Sequence, residues 1–419
     1  MNCGQMKPIT QRGDRGSASK LRSWWTGHRT TLLRLAVVLM AVAGLVWLGY
    51  QFWRLLCQSP PIWPSSPTGA VDLKLRHEEV HHWFTGKPVY GEGKPAAYPP
   101  ASYVILWPLL GWLAVTPARW LWAATTVAAL GWLVWLIVRE SGADTLLERV
   151  FVALIPFSMY ATGAAIGNGQ LIVHFLPMLV TGLLLLRRNQ RRWHEDLWVA
   201  ALVLMAMVKP SVSAPFFWIV LFVPGRLRPA LLVALGYVTL TCFAASFQAP
   251  GLLPVLRDWT TRALEVSAWE SLNRSNINLH SWSAALGLEE WNAPASLLML
   301  TALGLWTYRH RHADLWLLLG VAALVARFWT YHRWYDDLLI LLPMIALFRI
   351  AKRDLPTDSG GAVARALLAI TILTMLAPGG LYLFPPPWNS VYVAAQTIVW
   401  IVVLIFLLGR GRSVGQSHR

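Results

Sequence analysis

The chain has 419 residues, of which 56% are hydrophobic and only 13% charged, so its apolar runs are too long and too many for an ordinary soluble domain. The composition is that of a multi-pass α-helical membrane protein. The formal charge of +16 is spread over short loops and both termini instead of forming one basic stripe, which favours lipid headgroups over nucleic acid as the partner.

A basic N-terminus (Lys7, Arg12, Arg15, Lys20, Arg22, Arg29) runs into an apolar stretch from Thr31 to Leu56. That stretch is too long for a signal-peptide core and reads as a retained first helix with the N-terminus in the cytoplasm. The next segment holds Asp72, then Gly86 to Tyr90, then Tyr98-Pro99-Pro100. Asp72 opens a short amphipathic stretch to Val80 that suits the membrane interface, and taken alone it is a natural helix N-cap. Glu78 and Glu79 are spaced to pair with Lys74 or His82.

Further apolar runs begin near Ala101, Ala118, Val150, Leu171, Leu197, Ala214, Pro229, Ala295, Leu315, Leu338, Val363 and Val391. If all of them crossed, Arg187, Arg188, Arg191 and Arg192 would face outside. The run from Ala101 to Thr116 is short, contains Pro108 and Gly111 and follows a Pro-Pro corner, so an interfacial or re-entrant helix is expected there. Without that crossing the basic loops fall in the cytoplasm, and an all-α, polytopic protein of about twelve crossings has both termini inside. The expected organisation is a cytoplasmic tail (1–30), a transmembrane domain (31–409) with outer loops at 57–117 and 250–293, and a second cytoplasmic tail (410–419). The 25 tryptophans suit anchoring belts where hydrocarbon meets headgroup.

On this topology the uncommon polar residues gather on one face. Lys209 ends an apolar helix before Pro210; an intramembrane ammonium is a functional candidate, and a long lysine can also snorkel to the interface. Gly167-Asn168-Gly169-Gln170 is a helix-turn-helix corner that either holds an anion on its amides or is a plain tight turn. Asn273-Arg274-Ser275-Asn276-Ile277-Asn278 offers amides and a guanidinium suited to sugar hydroxyls and phosphate oxygens, or is a solvated loop. Late in the chain, Arg327, His332, Arg333, Asp336 and Asp337 lie among aromatics, either as a belt with paired charges or, through His332, as a group that handles protons. No phosphate-binding loop, dinucleotide turn, zinc-protease motif or serine elbow is present. Cys3, Cys57 and Cys242 have no paired spacing.

Taken in order, Asp72, Gly86 to Tyr90, Tyr98-Pro99-Pro100, Gly169-Gln170 and Lys209-Pro210 give the chain its resemblance to the GT-C superfamily of membrane glycosyltransferases. It most closely resembles glycosyltransferase family 87, the polyprenol-phosphate-mannose-dependent mannosyltransferase-like group, from the first helix to about Asp337. The resemblance implies a GT-C-like fold in the plasma membrane. It also implies inverting transfer of a hexose, mannose first, from a polyprenyl-phosphate sugar to a hydroxyl of a lipid or glycan acceptor on the extracytoplasmic side. Asp72 matches the general base and His332 a late catalytic histidine. The expected substrate contacts are Tyr90, Tyr98, Asn168, Gln170, Lys209, Asn273, Arg274 and Arg333, with Lys209, Arg274 and Arg333 as the cations for phosphate. The charged run Lys74, Arg76, His77, Glu78, Glu79, His81 and His82 departs from the common pattern. No cofactor is implied; some relatives in the superfamily use a divalent cation, but no acidic cluster near Asp72 asks for one. The competing readings are a transporter or flippase, for which no internal repeat is visible, and a catalytically silent subunit in which Asp72 is dispensable.

Overall fold

The structure, a computed structural model, describes residues 15–57, 68–91, 94, 96–187, 192–223, 225–273, 278–354 and 359–416, and every element named in it is helical. Cys3 and the outer parts of both expected tails lie outside the described residues. Helix α1 (Arg15–Cys57) contains an apolar part, Thr30–Cys57, long enough to cross a membrane. Then come α2 (Val71–Phe84), α3 (Pro100–Leu110) and α4 (Val115–Glu140), of which α4 is again long enough to cross. Pro100 starts α3 at the first helical position, where a missing N–H costs nothing. The 11 residues of α3 rise only about 16 Å, too little for a hydrocarbon core of ~30 Å.

A Thr145/Glu148 capping box opens α5 (Leu146–Ser158), which leads into α6 (Tyr160–Asn168). The chain then bends by 117° into α7 (Ile172–Leu185). A second bend of 119° separates α8 (Trp193–Ala206) from α9 (Pro210–Ser213), the 3-10 turn Ala214–Phe216 and α10 (Phe217–Phe222). Both bends exceed a right angle, so each apex is a place where the chain turns back. Gly169, at a φ of 72°, makes the first apex possible. At the second, Pro210 begins a new helix.

The rest comprises α11 (Arg228–Ala245), α12 (Leu252–Asn273), α13 (Leu279–Ala285), α14 (Asn292–Arg309), α15 (Leu315–Phe328), a 3-10 segment Trp334–Ile340, α16 (Leu341–Arg353), α17 (Ser359–Met375) and α18 (Trp388–Gln416). By length and composition four helices can cross, or six if each bent pair counts as one span. The larger count expected from the sequence is not reached by long helices, because several apolar runs are divided by the breaks at Met159, Gly169 and Lys209.

Every residue of α15 is buried, as befits a helix that is apolar all round. Trp112, Trp120, Trp193 and Trp198 are exposed, as anchors would be, whereas Trp83, Trp122, Trp316 and Trp400 are buried in the core. Where α5 starts and α16 stops, Lys352 bonds Glu148 and Asp144 at 2.9 Å each. Nearby, Arg349 pairs with Asp314 at 3.0 Å.

Candidate active site

At the other end of the bundle, segments far apart in the chain meet round a cavity of about 70 Å³. Asp72 and Arg76 come from α2, Gln170 and Lys209 from the two apices, Val266 from α12, and Arg333 and Asp336 from the segment before α16; Tyr98 forms part of the wall.

Glycines bring α2 to this place. The Ala70 N–H donates to the Gly167 carbonyl at 2.8 Å. A Cβ on Gly169 would come within 2.5 Å of the Leu73 Cβ, and one on Gly167 would collide with the Gln51 side chain. Ala70 enters α2 at a φ of 59°, the one positive value at a non-glycine among the described residues. It occupies the cap position, with no side-chain cap. The capping part open to Asp72 is therefore not the one it takes: Asp72 lies inside the first turn, and its carboxylate faces the cavity. The helix N-terminus favours a negative charge at that point. Arg333 Nη1 lies 4.0 Å from Asp72 Oδ1, a distance of charge attraction and not of a hydrogen bond.

Lys209 does not snorkel. Its Nζ donates to Asp336 Oδ1 at 2.6 Å and Oδ2 at 2.8 Å, and it stands 5.0 Å from the centre of the Tyr335 ring. Ser102 Oγ donates to the carbonyl of Val208 at 2.7 Å and so ties α3 to the same apex. Burial pushes the Asp336 carboxyl upward, but the Lys209 charge and the His332 hydrogen bond outweigh it and hold the group well below the usual carboxylate range.

His332 stands behind Asp336 instead of lining the cavity. Its Nδ1 is 3.2 Å from Asp336 Oδ2, and its Nε2 is buried without a partner. An ionised carboxylate only accepts, so the Nδ1 carries the proton. Burial lowers the imidazole pKa despite Asp336. The adjacent Asp337 turns the opposite way, pairs with Arg327 and accepts from the Tyr160 hydroxyl. Tyr160 accepts in turn from Gln396 Nε2 at 3.2 Å, so α6, α15 and α18 are fastened together directly behind the cavity.

Arg76 stacks 4.4 Å over the Tyr98 ring and bonds Glu79 at 2.7 Å. Glu79 therefore pairs with Arg76, not with Lys74 or His82, because Arg76 is held in place by a ring from outside the helix. Tyr103 also donates to Glu79, at 3.4 Å. Burial pushes the Glu79 carboxyl up to about 7.

Other expected contacts stand apart from Asp72. Asn168 Oδ1 accepts from Arg54 at 3.5 Å and lines no part of the cavity. The Gln170 N–H is spent on the Ala165 carbonyl at 2.7 Å, closing α6 and leaving its side chain to the cavity. Tyr90 donates to the Tyr98 carbonyl at 2.7 Å and lines a second, larger cavity of about 710 Å³ beside α12. Asn273 is the last residue of α12, and Arg274 lies outside the described residues.

The lining residues missing from the sequence expectation are Leu75, Arg76, Ala97, Val266, Tyr331, Tyr335 and Asp336. Helical spacing held part of the signal: Arg76 follows Asp72 by four residues and so shares its face of α2. Around the small cavity the cations Arg76, Lys209 and Arg333 outnumber the carboxylates Asp72 and Asp336 by one. That surplus suits an anionic group beside Asp72. Among the described residues no three His, Cys, Asp or Glu side chains gather as a metal site.

The family model described as Glycosyltransferase family 87 matches residues 96–348, more than half of the chain. Asp72, Leu75 and Arg76 precede the matched stretch, and the other lining residues fall within it. No curated protein and no solved structure matches the chain.

Proposed function

The chain belongs to glycosyltransferase family 87 and is a membrane glycosyltransferase; from that premise we propose that it moves a hexose, mannose first, from a polyprenyl-phosphate sugar to an acceptor hydroxyl in the cavity around Asp72. The observation that carries this reading is a carboxylate that caps no helix and opens into a small buried space among three cations.

A sugar hydroxyl is far too weak an acid to attack at neutral pH. Asp72 takes its proton as the oxygen bonds to the anomeric carbon. The bond from that carbon to the phosphate oxygen breaks on the opposite face, and the phosphate leaves with the electron pair. Configuration inverts in this single displacement, and no second carboxylate is needed as an acid. Arg76 and Arg333 meet the charge that grows on the departing phosphate, where cations help most. Lys209 is held at its place by Asp336, and His332 is a positioning residue that orients Asp336. The lipid tail stays in the bilayer while the headgroup reaches the cavity. The sequence charge pattern supports an extracytoplasmic position for this end of the bundle.

A space of about 70 Å³ is close to the share of about two liquid waters and is too small for a hexose. In this reading donor entry requires the space to widen, and Val266 of α12 and the partly exposed Arg333 are among its walls.

The test uses purified protein in sealed lipid vesicles with a radiolabelled polyprenyl-phosphate hexose and a membrane lipid extract. Asp72→Asn is expected to lower kcat by about 10²- to 10⁴-fold with little change in donor KM. Equal transfer by both proteins overturns the general base. Donor movement across the bilayer with no transfer by either overturns the chemistry in favour of a flippase.

A further inference from the structure

At the end of the bundle opposite Asp72, a third cavity of about 250 Å³ lies in the seam between α1 and α5 on one side and α16 and α17 on the other. Its walls include Leu33 and Ala36 of α1, Phe151 of α5, Phe348 of α16, and Leu368 and Ile372 of α17. The charged residues that line it are Glu148, Lys352 and Arg365. On each of three helices the charge stands nearer the end of the bundle and the apolar side chain about one turn deeper. Glu148 precedes Phe151 where α5 begins, Lys352 follows Phe348 where α16 stops, and Arg365 precedes Leu368 in the first half of α17.

This gradient is that of a lipid, with its head outward and its chain inward. The helix faces beside the cavity carry exposed Leu35 and Val38 of α1 and Ile370 and Leu373 of α17. An apolar surround suits hydrocarbon and not a solute arriving from water.

The charges are not all matched. Lys352 is spent on Glu148 and Asp144. Arg365 pairs with no carboxylate among the described residues: its Nη1 donates to the Ala351 carbonyl at 3.3 Å, and Asp354 nearby is taken by Arg410. The rest of its guanidinium fork is open to an acceptor.

We propose that this seam binds an anionic phospholipid, with one acyl chain between α1 and α17 and the phosphate on Arg365. A guanidinium meets phosphate oxygens through two parallel hydrogen bonds. A zwitterionic headgroup brings its own cation to the same place and gains less. The loop charge pattern supports a cytoplasmic position for this end, where anionic lipids attract basic residues. The site goes beyond the transfer reading, since it shares no lining residue with the Asp72 cavity.

The test titrates purified protein in detergent with phosphatidylglycerol or phosphatidylcholine of the same chains and counts bound lipid by native mass spectrometry. Wild type is expected to bind phosphatidylglycerol about tenfold more tightly, the worth of one charge-assisted hydrogen bond. Arg365→Gln is expected to erase that preference. Ala369→Trp, which fills the seam from an exposed position, is expected to weaken both lipids. Unfolding temperatures in lipid-free detergent, unchanged in both variants, establish that they fold. Equal binding of the two lipids by wild type overturns the proposal, as does a preference that survives Arg365→Gln or full binding by Ala369→Trp. Competition by glycerol 3-phosphate would make this a phosphate site without a chain, and displacement by an equal concentration of polyprenyl phosphate would give the seam to an isoprenoid carrier; either result also overturns it.

Discussion

Lys209 and Asp336, 127 residues apart in the chain, are joined by two hydrogen bonds at the wall of the small cavity. The pair fixes the α8–α9 apex to the segment before α16, so two backbones that supply the site hold one position. Each charge is buried at the cost of its hydration, and each is tolerable because of the other.

Removing one partner strands the other. Lys209→Met is expected to destabilise the protein by about 3–5 kcal/mol, read as a loss of thermal stability in detergent. Lys209→Met combined with Asp336→Leu is expected to regain most of that stability without regaining transfer. A double variant as unstable as the single one would mean that the pair is not the source of the loss.

Gly169 and Gly142 provide a matched comparison. Both have positive φ, 72° and 75°, but a Cβ on Gly142 meets nothing within 4 Å. Gly142→Ala is expected to cost about 1–2 kcal/mol through its backbone alone. Gly169→Ala adds the collision with Leu73 and pushes α2 away. A displacement of ~1 Å at Asp72 costs up to about a hundredfold in rate. Transfer kinetics and unfolding of the two variants, measured side by side, check this; equal losses of kcat would exclude the docking of α2 as the cause.

Glu79 is expected to tilt the pH dependence of stability. Its folded pKa, pushed by burial to about 7, lies above the ordinary value of 4.5, so the folded protein binds the proton more tightly than the unfolded chain. Stability from this group is complete below about pH 4.5 and falls as pH rises toward 7. Arg76 and the Tyr103 hydroxyl oppose the shift, whereas Glu78 and Asp72 add to it. Glu79→Gln is expected to flatten that slope in unfolding temperatures measured from pH 4.5 to 8. An unchanged slope assigns it to another group.

Much of this arrangement is legible in the sequence because it is written in backbone punctuation. Pro99-Pro100 sets where α3 begins, Gly169 turns α6 into α7, and Lys209-Pro210 marks the second apex. Charge bookkeeping over the loops then puts Asp72, Gln170, Lys209 and His332 on one face; the first three line one cavity, whereas His332 stands behind Asp336. What stays hidden is whatever depends on partners from elsewhere. Asp336 and Asp337 are identical neighbours, yet one meets Lys209 and the other Arg327. Local spacing offers Glu79 several partners, and the one it takes, Arg76, also lies over the Tyr98 ring. The cap passes to Ala70 because the Gly167 carbonyl lies 2.8 Å from its N–H. Likewise, hydropathy marks an apolar run but not the break that divides it into short helices.

The narrowness of the Asp72 cavity bears on how faithfully the proposed reaction treats its donor. A carboxylate able to activate a sugar hydroxyl activates water equally well, and a glycosyl phosphate is a substrate for both. Because the space beside Asp72 is only about 70 Å³, an entering donor takes the place of water next to the carboxylate. In the proposed reaction, the same narrow fit that asks the space to widen for the sugar leaves little room for water beside it.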